Sequence, residues 1–438
     1  MFQRKLIAVL GLVAFVAFTA GVSQASKSRV EGMALMSPAL TQFTDDYVNI
    51  YYFPTSVVRQ NNLVLAEVGN NPGGGVNSVS FDDQSFTVIR NFPSFGAIAF
   101  DMKESALNSW TSSSLGHEQL DAIWGKAFTK IDLAVRLDIT NSKFENTNTP
   151  SGGVPSTLEM HGDGFYPPFF SYSPDNLIGG GVELNTYGIT PAIAIHMAND
   201  NRFEGALTYR KYTMDYSAIT GAGPAETFED AGNASLMLAA RMIYNKGDKS
   251  VWYPAAWYIS DDLGYKTTNT FLTPAAADVD ETYRVFGAGI SNNMRVNDNN
   301  LLLWGVAAWQ EKHKYERNDA NTGGSAFDEK TVEETWTTLP IVFAAIETDA
   351  TKWLKVRIGA NRAMINYKND FTDFQAPAET DVTKIRQNDF HFSLGTGIKW
   401  NNLDIDMTLN EAFPLSGGYI LSGDEATPFT RASATYHF

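Results

Sequence analysis

The 438-residue chain has no cysteine, which excludes thiolate metal centres, a disulfide scaffold and a cysteine nucleophile. Histidine is sparse, with six, and cations are outnumbered, 33 Lys+Arg against 49 Asp+Glu. A net charge of −16 argues against nucleic acid as a partner, because phosphate recognition needs a basic surface. Long apolar runs are missing as well. Past residue 25 none reaches the roughly 18 apolar positions of a spanning helix. What the chain has in quantity is aromatic side chains (13%), with 35 glycines among turns and strands.

The start of the chain points to export. Arg4 and Lys5 precede an apolar run from Leu6 to Phe18, and Ser23-Gln24-Ala25 forms a small-residue cleavage site. This is the layout of a secretory signal peptide, so residues 1–25 are expected to be removed. The mature chain would then carry 31 basic against 49 acidic side chains, or −18, once Arg4 and Lys5 are gone from the 33.

Downstream the hydrophobic period is two. From Asp389 to Trp400 the even positions are Phe390, Phe392, Leu394, Thr396, Ile398 and Trp400, and the odd ones are mostly polar or glycine. Ile131–Thr140, Ser235–Tyr244, Leu354–Asn361 and Leu403–Asn410 alternate in the same way. Successive strand side chains point to opposite faces, so each segment has an apolar and a polar side. The connections decide between a soluble sandwich and a membrane barrel. Short turns at 91–94, 129–130, 199–201, 245–249, 296–299, 349–350 and 400–402 take turns with long polar stretches. Those stretches are about 70–83, 103–118, 144–180, 217–232, 267–280, 318–331, 369–387 and 412–428. Short turns on one side and long loops on the other are the plan of a transmembrane antiparallel β-barrel. Pairing back from Phe438 gives sixteen strands, or fourteen if the first hairpin (Asn62–Val68 with Phe86–Arg90) is left out. The reading is therefore an all-β chain: leader 1–25, an N-terminal hatch or plug segment 26–60, and a barrel over 61–438. Trp353, Trp400, Tyr244 and Tyr436 are expected in interfacial girdles.

The last strand, Thr430 to Phe438, alternates and ends on an aromatic residue. It resembles the terminal strand that outer-membrane proteins present to the barrel-assembly machinery, with Tyr436 and Phe438 as the matching positions. Residues 26–60 do not alternate; they contain Ser28-Arg29-Val30, Met33–Pro38, Asp45-Asp46-Tyr47-Val48-Asn49 and Phe53-Pro54-Thr55. This segment, preceding the first strand, resembles the fatty-acid-transporter (FadL) type of barrel and its PorV-like relatives. That resemblance implies fourteen strands and an N-terminal hatch; here Phe53-Pro54 stands where the family has Asn-Pro.

The inward face collects charges of both signs: Asp132, Arg136, Asp138, Arg202, Glu204, Arg210, Arg241, Lys355, Arg357, Asp389, His391, Lys399, Asp404, Asp406 and Arg431. A lipid-facing Arg or Lys would cost about 2–4 kcal/mol at the midplane, so these are expected to face a lumen. In the 144–180 loop, Phe165, Tyr166, Phe169, Phe170 and Tyr172 are candidates for a ligand cap or a constriction. Catalysis is not expected. Asp389, His391 and Ser393 share one strand face about 7 Å apart, a spacing that does not build a triad. His117, His161, His196, His313 and His437 have no i+2 or i+4 partner, and the acid runs at Asp261-Asp262 and Asp278–Glu281 lack calcium-loop spacing. No metal or cofactor is expected. The expected partners are outer-membrane lipid, the assembly machinery and a small-molecule substrate; the sequence leaves the oligomer open. Two functions fit: a channel or transporter for small solutes, hydrophobic ones included, or a structural barrel whose long loops dock secreted or surface proteins.

Overall fold

The period-two segments pair in chain order into one closed sheet. A computed structural model describes residues 26–35, 38–69, 83–107, 115–146, 158–161, 169–172, 180–218, 226–230, 233–262, 264–269, 276–319, 330–373, 379–409 and 429–438. The first barrel strands are β1 (Leu63–Gly69), β2 (Asp83–Phe92), β3 (Gly96–Leu107), β4 (Leu115–Ala127), β5 (Ile131–Asn146), β6 (Gly180–His196) and β7 (Arg202–Ala218). Two strands are each broken once, β8 (Glu226–Asp230 and Ala234–Asn245) and β9 (Ser250–Asp262 and Tyr265–Asn269). The remainder are β10 (Ala276–Asn297), β11 (Asn300–Asp319), β12 (Lys330–Asp349), β13 (Leu354–Asp373), β14 (Glu379–Trp400), β15 (Leu403–Leu409) and β16 (Phe429–His437). β1 pairs with both β2 and β16, Leu63 opposite His437, so sixteen antiparallel strands close without an edge. A short ribbon, Leu158–His161 against Phe169–Tyr172, stands apart from this sheet.

Alternation sets the two faces. On β5, Leu133, Leu137 and Ile139 point outward and exposed, while Asp132, Arg136 and Asp138 between them are buried. The outward apolar side chains would each cost about 1.5–3 kcal/mol in water, so the belt they form belongs in lipid. Trp353, Trp400 and Tyr244 stand exposed at its short-turn edge, as a girdle requires. Tyr436 does not: it is only 8% exposed, and this corrects its expected place there. Of its register neighbours, Val64 lies across the closing seam and Leu403 on β15. The short turns use left-handed residues where the chain reverses, Asn199 at φ 60° and Asn401 at φ 54°, a region asparagine tolerates.

The strands run further than alternation shows. β13 and β14 stay paired up to Asp373 opposite Glu379, inside the stretch read as a loop over 369–387, and β3 continues to Leu107. Every residue from 381 to 390 is exposed on both faces. Beyond the lipid belt both faces meet water, so backbone pairing persists while the hydrophobic period vanishes.

Residues 26–35 and 38–60 lie within the barrel. They fold into α1 (Lys27–Glu31), α2 (Pro38–Thr41) and two 3₁₀ turns, Tyr47–Tyr51 and Pro54–Arg59. Ser26 caps α1, accepting from the Arg29 amide at 3.2 Å, and Asp46 caps the first 3₁₀ turn. Elements this short leave many carbonyls without partners of their own. The wall supplies them, and Phe43, Ile50, Phe53 and Val57 are fully buried against it.

Candidate functional site

Each wall donor comes from an inward strand position near the short-turn end. Arg136 on β5 donates to the Tyr51 carbonyl at 2.8 Å, and Arg202 on β7 to that of Thr55 at 3.0 Å. Arg241 on β8 reaches the carbonyls of Gln42 (3.3 Å) and Thr44 (3.0 Å) and the Ser56 hydroxyl (3.2 Å). Ser291 on β10 serves Phe43, Asn361 on β13 serves Ala34, and Thr408 on β15 serves Ser28, at 2.7–2.9 Å. These donors thus come from six strands, from β5 round to β15.

Carboxylates hold these cations. Glu204 takes the Arg241 Nε at 2.6 Å and the Arg202 Nε at 2.8 Å, with Arg59 of the segment at 3.5 Å. A chain of charge runs from Asp46 through Arg29, Glu347, Arg357 and Asp406 to Ser26, crossing between segment and wall twice. Arg431 meets Glu31 at 2.8 Å, and the Tyr47 hydroxyl donates to Glu67 at 2.5 Å. Asp138 binds Arg210 (3.0 Å), and Asp132 binds Arg202 (2.6 Å) and His196 (2.9 Å). Phe43 stacks on Phe343 of β12, ring centres 5.5 Å apart, seated where Gly289 leaves the wall bare.

Most of the sequence-derived lumen set therefore meets in one place. Lys355 lies at its edge, 3.5 Å from Asp349, and Lys399 sits in register with Asp404. Asp389 is exposed and His391 half-buried, higher on β14, opposite Ala363 and Asn361. Phe165 and Tyr166 fall outside the described residues; Phe169, Phe170 and Tyr172 lie on the small separate ribbon. The leader, residues 1–25, also falls outside the described residues.

Higher up, away from the short turns, β10–β13 present a second group that alternation did not reveal. His313 meets Glu281 (2.6 Å) and Glu334 (3.5 Å) across strands, where no partner was visible along the sequence. Glu311 accepts from Tyr283 (2.9 Å) and the Trp309 indole (2.7 Å), and Glu334 from Tyr367 (2.5 Å). Trp336 packs on Tyr367 with centres 5.2 Å apart. Outward Lys312 pairs with Glu333 at the same height, so both faces are polar and no period of two survives. The only available signal was the recurrence of Trp309, Glu311 and His313 at alternate positions. Asp261 and Asp262 point to opposite faces, one buried and one exposed. Among the described residues no cluster of metal-ligand type forms.

The seat carries its own pH sensitivity. Burial pushes the Asp46 carboxyl up to about 7, against the opposing pull of Arg29. Burial also acts on Asp45, but Arg59 and Arg241 outweigh it and hold that carboxyl below the usual range. A raised carboxyl favours the seated state while protonated, so the Asp46 contribution is present at low pH and lost as pH rises through about 7. Asp45 is ionised throughout the range above pH 5 and adds no slope there. Proteolysis within 26–60 is expected to be faster near pH 8 than near pH 5.5, on the order of tenfold. Asp46→Asn should flatten that difference, and an unchanged slope in the variant would refute the assignment.

No protein-family model matches this chain, and no curated protein matches it. Among solved structures it is similar to a Pseudomonas aeruginosa FadL homologue, at 10% identity and TM-score 0.44 over 96% of this chain and 100% of that one. It is also similar to the ferric-catecholate import receptor Fiu of E. coli K12 in its open form (8%, TM-score 0.37, 86% and 82% covered). A third is the siderophore receptor PiuA of Acinetobacter baumannii, at 7% identity and TM-score 0.37 over 86% and 82%. By its own geometry the chain is a sixteen-stranded antiparallel β-barrel whose outward apolar belt fits it to a membrane.

Proposed function

We propose that this barrel passes small solutes across a Gram-negative outer membrane, with residues 26–60 as a plug at its short-turn end. One observation carries the reading: the lumen is filled unequally. Toward the short turns it holds a segment joined to the wall covalently at β1 and otherwise by ion pairs, carbonyl hydrogen bonds and side-chain packing. Toward the long loops its wall meets water, as residues 381–390 do. Contacts of the first kind can be exchanged for water without breaking the sheet, so the obstruction is one that can move. The leader 1–25 and the terminal Tyr436 and Phe438 support export and assembly into that membrane.

Single-channel recording of the mature chain, with and without residues 27–60, tests this. The truncated barrel is expected to conduct severalfold more than the whole one. Equal conductance would overturn the plug, and silence from both would overturn transport.

A further inference from the structure

At the short-turn rim, one sector differs from the rest. From β2 to β5 the charges there are the exposed Arg90 and Lys130 and the half-buried Lys126, and no acidic side chain occurs over residues 89–98 or 126–131. The other short turns mix signs: Lys246 and Lys249 flank Asp248, Arg295 precedes Asp298, and Lys352 follows Asp349. Asp132, the next acid along, faces inward and is engaged by Arg202 and His196. Even with a chain-end carboxylate at Phe438, three cations stand against one anion in a chain of net charge −16.

Rings flank two of these cations, Arg90 and Lys126. The Arg90 guanidinium lies 5.3 Å from the Phe438 ring centre and 5.8 Å from that of Phe92. Lys126 sits 5.8 Å from the Phe128 ring centre and donates to the Ser94 carbonyl at 3.0 Å. Phe95 packs edge-on against both Phe92 and Trp124, and the Trp124 indole donates to its carbonyl at 3.2 Å. Phe92, Phe95 and Phe128 are 42–55% exposed, directly below the apolar belt. Exposed rings at this depth sit at the headgroup level, and long cationic side chains beside them reach the phosphates.

We propose that this sector is a docking surface for the headgroup of an anionic phospholipid in the leaflet facing the short turns. Arg90, Lys126 and Lys130 would take the phosphate, and Phe92, Phe95 and Phe128 would pack the glycerol and upper acyl region. The inference rests on the strands crossing a bilayer and is independent of transport through the lumen. Each cation near an anionic surface is worth roughly fivefold in binding, so the three together should give a preference well above tenfold.

The test uses the full mature chain in mild detergent, titrated with phosphatidylglycerol or phosphatidylcholine and read by native mass spectrometry. Wild type is expected to retain phosphatidylglycerol at least tenfold better. The triple variant Arg90→Gln, Lys126→Gln, Lys130→Gln should lose that preference, Arg90→Lys with Lys126→Arg should keep it, and Lys246→Gln should not change it. Should the triple variant fail to fold, the charge-preserving pair against a single Lys130→Gln reads the same quantity. Equal retention of both lipids by wild type would overturn the proposal. So would displacement of the bound lipid by millimolar inorganic phosphate, which would mark a free-anion site. A triple variant that merely loses self-association, with its lipid preference intact, would assign the patch to a second copy of the chain instead.

Discussion

Replacing Arg241 with alanine is expected to unseat the N-terminal segment while leaving the barrel closed. This side chain is fully buried and makes three hydrogen bonds to the segment, at Gln42, Thr44 and Ser56, while its Nε stays on Glu204. Its guanidinium also lies 4.6 Å from the Phe53 ring centre. Removing one member of a buried charge pair costs about 3–5 kcal/mol. Glu204 keeps Arg202 and Arg59, which places the loss near the lower end. About 3 kcal/mol lowers the ratio of seated to unseated molecules roughly a hundredfold. Proteolysis within 26–60 and the frequency of large-conductance openings should both rise, approaching the 27–60 deletion. Arg241→Lys should fall between, since an ammonium can hold Glu204 but cannot fork to the carbonyls. Wild-type protection in the alanine variant would show that the seat does not depend on this residue.

Gly359→Val tests the same seat by shape. An added Cβ on this inward position of β13 would lie on the backbone carbonyl of Met33, and neither atom belongs to a flexible side-chain end. The neighbouring Asn361 amide, which donates to Ala34 at 2.7 Å, would be displaced with it. Overpacking of this kind costs about 1–3 kcal/mol or more. Valine suits a strand better than glycine, so the sheet itself should not weaken. The expected result is a barrel with unchanged thermal unfolding whose residues 26–60 have become protease-sensitive. Loss of barrel stability along with protection would mean that the clash is relieved by the wall and not by the segment.

The architecture was readable because a membrane barrel writes it into sequence twice, in the period of two and in the rhythm of the connections. Strand β5 shows this, with Leu133 outward and Asp132 inward along the same few residues. Legibility ended wherever lipid ended. Past the belt, Glu311 and His313 on the inner face run beside Lys312 on the outer one, and nothing in composition separates them. Partners were illegible for another reason. Glu204 and Arg241 are recognisable as inward charges, but that both serve residues 42–59 depends on how an irregular segment folds. Its 3₁₀ turns leave no period to read. The same holds for Tyr436, which is buried between register neighbours on two flanking strands, Val64 and Leu403.

The order in which the seat can be completed follows from where its pieces lie along the chain. Ser26 and Ser28 wait for partners 380 residues away, and Glu31 for one 400 residues away on the last strand. Those late strands are the staves that shut the ring, since β16 joins β1 directly after the segment ends. The contacts of Ser26, Ser28 and Glu31 therefore close only once β15 and β16 are in place. Contacts of such long separation form slowly. Loosening the β1–β16 seam would therefore release the segment as surely as breaking any ion pair that holds it.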